Sequence, residues 1–120
     1  MARRAITRAL FLAILGALAP IAVAHAHAGA SVVAPPAPRR AALLYLLRQD
    51  CGACHGMTLK GGLGPALLPG RLAATDDDTL IATVLDGRPG TPMPPWRFMI
   101  SPDEAAWLVH RLKKGIERED

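Results

Sequence analysis

Two cysteines, one tyrosine, two tryptophans and two phenylalanines are all that this 120-residue chain holds in thiols and aromatic rings. With both thiols close together at Cys51 and Cys54, no disulfide can join distant segments. The framework of bridges that often holds a small secreted domain is therefore excluded. A core with so few rings in so short a chain is marginal unless another apolar centre supports it. Runs that alternate apolar and polar residues are also scarce, which argues against a sheet and for helices joined by irregular segments. The uncharged apolar stretch from Ala9 to Ala24 falls short of a comfortable membrane span.

Excess charge is scarcer than the basic balance suggests. Arg3, Arg4 and Arg8 precede the apolar stretch, Pro20 lies near its end, and the small residues Ala24, Ala26 and Ala28 follow. This is the form of a secretory signal peptide over residues 1–28, cleaved after Ala26 or Ala28. No cysteine stands at the cleavage region, so a lipid-anchored product is not expected. The three arginines belong to a total of 14 Lys and Arg against 10 Asp and Glu, which leaves 11 against 10 after cleavage. Such a near-neutral chain offers no basic surface for nucleic acid. The expected location is the periplasm, with no stable membrane insertion once the signal is removed. His25 and His27 fall at the cleavage region, leaving His55 and His110 in the mature chain.

What the chain does contain is the run Cys51-Gly52-Ala53-Cys54-His55. Two thiols three positions apart lie on one side of a helical turn and can add to the two vinyl groups of a haem, while the adjacent imidazole reaches the iron. The competing readings are a local disulfide, a thioredoxin-like redox pair and half of a zinc site. A thioredoxin-like pair needs a βαβ pattern around it, and a zinc ribbon needs a second Cys/His pair; the sequence has neither. Covalent attachment of one haem c also supplies the apolar centre that the sparse aromatics, Tyr45, Trp96, Phe98 and Trp107, leave wanting.

Around the motif the chain divides simply. Residues 29–38, with Ser31, Pro35, Pro36 and Pro38, read as a flexible leader, and residues 39–120 as one domain. Ala41 to Arg48 predicts a helix running into the motif. Gly56 to Gly70 holds five glycines and two prolines and predicts a loop. A second helix is signalled by Thr75 or Asp76 as cap, Asp77 and Asp78 in the first turn, and Leu80, Ile81, Val84 and Leu85 on one face, with Gly87 ending it. The three aspartates serve as helix-start acids rather than as a metal site. In the last helix Ser101 caps, Pro102 takes the first position and Glu104 completes a capping box, while Trp107, Leu108, Leu112 and Ile116 form a stripe. The fold class is all-α.

This pattern resembles the class I cytochrome c family across nearly all of the mature chain. The matching positions are Ala41 and Tyr45 at a small-x-x-x-aromatic spacing, the Cys-x-x-Cys-His run, Gly64-Pro65-x-Leu67, Met93-Pro94, and the amphipathic last helix with Trp107. The resemblance implies first and last helices that cross and close the domain around the haem. It also implies that the Pro65 carbonyl accepts the Nδ1 proton of His55.

His55 would hold one face of the iron, so the sixth ligand must come from a segment able to reach the opposite face. Met57 is too close in the chain, whereas Met93 sits among Pro92, Pro94 and Pro95, which stiffen its backbone. Met99 is the other methionine to weigh, and its place ahead of Ser101 suits packing better. His110 reads as a surface or packing histidine. The expected haem pocket further includes Pro65, Leu67, Trp96 and Arg88, with Lys60, Arg71, Arg88 and Arg97 as cations for the haem edge or the propionates.

With both axial positions filled, the iron suits outer-sphere electron transfer rather than substrate chemistry, so the protein is expected not to be an enzyme. The stretches Cys51–Pro65 and Asp86–Trp96 are similar to those of the NirC-type small periplasmic cytochromes c of denitrification gene clusters. That resemblance implies a monomer, or weak transient complexes, with cytochrome cd1 nitrite reductase as the redox partner. A haem protein assisting haem d1 biogenesis and nitrite reductase maturation is the alternative. A gas sensor would require a displaceable sixth ligand.

Overall fold

The computed structural model describes residues 31–116, and among them there is no strand. The expected signal segment, residues 29 and 30 of the leader, and residues 117–120 lie outside the described residues. No helix among the described residues is long and apolar enough to cross a membrane.

Helix α1 (Ala37–Leu46) starts four residues ahead of the expected Ala41. Pro38 in its first turn explains the early start, since a fixed φ is already helical and a missing N–H costs nothing there. Leu43, Leu46 and Leu47 recur at helical spacing and are buried, whereas Ala41 and Tyr45 stay exposed. The small-x-x-x-aromatic pair thus faces water, and leucines make the packing contact. Past Leu46 the backbone widens into one π-helical turn, Leu47–Cys51, before closing again as the short α2 (Gly52–His55). Such turns insert an extra residue into a helix and rotate the positions beyond it, here the two thiols.

The segment after the motif is irregular until α3 (Pro69–Leu72), a single turn that begins within the last two residues of the stretch expected as loop and whose Leu72 enters the core. Asp76 rather than Thr75 caps α4 (Asp77–Asp86), accepting from the Thr79 N–H at 2.7 Å and the Thr79 hydroxyl at 2.9 Å. Gly87 ends α4 at φ 68.

Helix α5 (Pro102–Lys114) packs against α1, α3 and α4 and buries Ala105, Trp107, Leu108, Val109 and Leu112. Its start carries the expected reciprocal box, with Ser101 Oγ accepting from the Glu104 N–H at 3.2 Å and Glu104 Oε2 accepting from the Ser101 N–H at 2.8 Å. Glu104 also takes a second load. Arg39 on α1 donates through Nε to Oε1 at 2.6 Å and through Nη2 to Oε2 at 2.9 Å, and Nη2 also reaches the Met99 carbonyl at 3.0 Å. At the other end of α5, Lys113 Nζ donates to the Thr75 carbonyl at 2.6 Å and to Asp77 at 2.5 Å. Helix α5 is therefore tied at its first turn to α1 and at its last to the start of α4.

The Arg39 guanidinium, with the Ser101 N–H, holds the Glu104 carboxyl down at about 2, against an ordinary value of 4.5. A depressed carboxylate stabilises the fold above its ordinary pKa and loses that contribution as pH falls through the folded value. The melting-temperature difference between the native chain and Glu104→Gln is therefore expected to be widest near neutrality. It should narrow below about pH 4.5 and close near pH 2 in thermal melts. Ser101→Ala, which removes one cap, should cost about 1 kcal/mol, or about 4–8 °C for a domain of this size.

Candidate cofactor site

The site is organised around His55, which closes α2 and is only 8% exposed. Its Nδ1 stands 2.7 Å from the Pro65 carbonyl oxygen, which can only accept, so Nδ1 is the donor and in the neutral ring Nε2 keeps its lone pair. The loop between them is folded back by its own backbone. The Gly61 N–H donates to the His55 carbonyl at 2.8 Å, the Gly64 N–H to the Cys54 carbonyl at 2.9 Å and the Leu67 N–H to the Leu59 carbonyl at 2.9 Å. Leu59 turns the corner at φ 57, a left-handed conformation that is unfavourable for leucine, with its side chain buried in the core.

Gly64 lets this approach happen. A Cβ there would lie 2.7 Å from Cε1 and 2.8 Å from Nδ1 of His55, closer than non-bonded atoms pack. The imidazole thus has a glycine wall on one side and a carbonyl fixing its tautomer.

Cys51 ends the π-helical turn and Cys54 lies on α2; both are free thiols and both are half-buried. Burial, with the Asp50 carboxylate next to it, pushes the Cys51 thiol up to about 11. Among the described residues no group of three or more His, Cys, Asp and Glu side chains is placed to hold a bare metal ion. Close to the motif in the chain, Leu63 is 92% exposed and Met57 is also exposed. Paired free thiols, an imidazole presenting Nε2 and flanking apolar side chains fit a covalently attached haem.

The structure joins His55 to Pro65 and Gly64, and joins Met93 to a different set of partners. Met93 lies half-buried in the loop after α4, where its carbonyl accepts from the Arg88 N–H at 3.1 Å and its own N–H reaches Thr91 Oγ1 at 3.3 Å. Trp96 packs against the core and donates its N–H to the Val84 and Leu85 carbonyls. Leu67 also packs against the core. Arg88, Lys60 and Arg71 are exposed, and Arg97 is engaged by Asp86. Met99 is exposed and His110 half-buried on α5. Sequence reasoning missed Leu59 and the Asp86–Arg97 pair; Gly61 and Gly62 signal a turn, but nothing local marks a leucine as its left-handed corner.

Comparison with known proteins finds similarity to c-type cytochromes. Residues 37–110 match the family model described as cytochrome C oxidase, cbb3-type, subunit III. The chain is 50% identical over 113 residues to cytochrome c55X of Pseudomonas aeruginosa, covering 94% of this chain and 91% of that one. A solved c-type cytochrome NirC shares 58% identity with a TM-score of 0.66, over 68% of this chain and 95% of that one. The dihydro-heme d1 dehydrogenase of Pseudomonas aeruginosa is 37% identical over 91 residues, 76% of this chain but 18% of the dehydrogenase.

Gly64→Ala should drive the imidazole off the Pro65 carbonyl, because neither that carbonyl nor the backbone at residue 64 can retreat freely. The expected outcome is a lower yield of haem-bearing protein, read by intact mass and by haem absorbance per mole of polypeptide.

Proposed function

The chain belongs to the c-type cytochrome family, and from that premise we propose that it is a periplasmic carrier of single electrons serving cytochrome cd1 nitrite reductase or a related denitrification partner. Its cofactor is one covalently bound haem c, which supplies a one-electron iron couple. In the proposed assignment Cys51 and Cys54 form the two thioethers, His55 gives Nε2 to the iron and Met93 gives its sulfur from the loop after α4. The observation that carries the reading is the His55 seat, where a fixed Nδ1 proton makes the imidazole a committed donor through Nε2.

The chain's own residues then do three things. Pro65 holds the proton on Nδ1, which raises the basicity of the ligating nitrogen. Leu67 and Trp96, packed on the core, keep water from the proposed pocket. Met93, a weak donor, favours the reduced state over the oxidised one and so raises the potential. Export through residues 1–28 accords with this chemistry, as does a near-neutral mature chain that docks only transiently.

A second reading is favoured by one observation: the chain resembles a small part of a dihydro-heme d1 dehydrogenase. A protein of this kind could accept electrons during haem d1 assembly in place of delivering them to nitrite reductase. Rapid oxidation of the reduced cytochrome by nitrite reductase in stopped flow is expected on the first reading. A stable complex with a haem d1 maturation protein, without that exchange, supports the second. Met93→Ala should abolish the weak far-red sulfur-to-iron band of the oxidised protein and lower its potential; a band that survives would overturn the ligand assignment.

A further inference from the structure

The backbone of Met93 is seated on the C-terminal end of α4. Gly87, buried and at φ 68, has no Cβ, and one placed there would lie 2.6 Å from the Pro94 carbonyl carbon, 2.7 Å from the Met93 oxygen and 2.8 Å from the Pro95 nitrogen. All three are backbone atoms, so no side chain can swing aside to admit a methyl group. The Arg88 N–H donates to the Met93 carbonyl at 3.1 Å from the same turn. The loop's return is closed just beyond, where the Arg97 N–H reaches the Leu85 carbonyl at 3.2 Å and the Arg97 guanidinium pairs with the Asp86 carboxylate. Asp86 and Arg97 thus form the neck of the loop, and Gly87 is the floor on which Met93 rests.

We propose that Gly87 and the Asp86–Arg97 neck are positioning elements that fix how firmly Met93 is held at the sixth position, and so how readily that ligand exchanges. The proposal rests on Met93 as ligand. It separates a strong element from a weak one. The floor acts through rigid packing and a left-handed backbone, whose disruption costs as much as other strained sites. The neck acts through an exposed ion pair, which contributes modestly.

The test uses the haem-loaded full chain and its Met93→Ala, Gly87→Ala, Arg97→Gln and Asp86→Asn variants. Three quantities are read: the far-red band of the oxidised form across pH, carbon monoxide binding by the reduced form at neutral pH, and amide exchange at Arg88. Gly87→Ala is expected to raise the equilibrium constant for Met93 release about five- to a hundredfold. Arg97→Gln and Asp86→Asn should each raise it about 1.5- to fivefold, with faster amide exchange at Arg88. The neck variants alter no buried side chain, so they keep the test decisive if Gly87→Ala fails to fold. Persistence of the band in Met93→Ala would overturn the ligand assignment and the seat with it. Loss of the band in Met93→Ala, with native carbon monoxide resistance and native pH range in the folded seat variants, would overturn the seat alone.

Discussion

The contact between His55 Nδ1 and the Pro65 carbonyl constrains the whole front half of this domain. For a carbonyl ten residues downstream to return to the ring, the chain must reverse within the segment from Gly56 to Pro65. It does so through backbone bonds that join Gly61 to His55 and Gly64 to Cys54, and through a left-handed corner at Leu59. The corner is strained, and the strain is offset by the Leu59 side chain, which is buried with Leu43, Leu47 and Trp107. Packing in the core thereby fixes the tautomer of a histidine at the site. Local backbone, buried leucine and functional imidazole form one mechanical unit.

The rear half obeys a different constraint. Helix α5 must close the domain with few rings, and its stripe of Trp107, Leu108 and Leu112 alone makes a small core. Polar ties at both ends supplement it. Arg39 reaches Glu104 across 65 residues, and Lys113 reaches Thr75 and Asp77 across 38 and 36. Because Glu104 already serves the Ser101 cap, one carboxylate satisfies the helix start and orients α1. The same guanidinium touches the Met99 carbonyl, so this clamp also restrains the segment leading out of the Met93 loop.

Much of this was legible because it is written locally. The capping box at Ser101 and Glu104, the Asp76 cap, the Gly87 stop and the Cys51 to His55 run all depend on residues within a few positions of each other. The features that escaped depend on distance or on context. Nothing near Arg39 announces Glu104, nothing near Leu59 announces a positive φ, and the π-helical turn at Leu47–Cys51 has no spacing that propensity can detect. The exposure of Tyr45 and Ala41 was hidden for a related reason. A pair at a familiar spacing competes with Leu43, Leu46 and Leu47 for the same helix, and the wider apolar stripe wins. Arg97 is expected as a cation for the haem edge or the propionates, yet Asp86, eleven positions away, pairs with it.

The two proposed ligands are mounted unequally, and that asymmetry bears on function. His55 sits at the end of a helix, next to Cys54, with its Nδ1 hydrogen-bonded to the Pro65 carbonyl and a glycine wall against its ring. Met93 sits in a loop whose neck is an exposed ion pair and whose stiffness comes from its prolines, Pro92, Pro94 and Pro95 beside Met93 above all, and from the Gly87 floor. The stronger donor thus has the rigid mount and the weaker donor the softer one. In the proposed assignment electron transfer would need neither to move, since an iron that keeps both partners changes only its charge, and a preorganised pair would keep reorganisation small. Any chemistry that opened the iron would begin on the Met93 side. On the proposed assignment, a carrier of this kind depends on how well the Met93 loop is held against the end of α4 as well as on the Cys-x-x-Cys-His run.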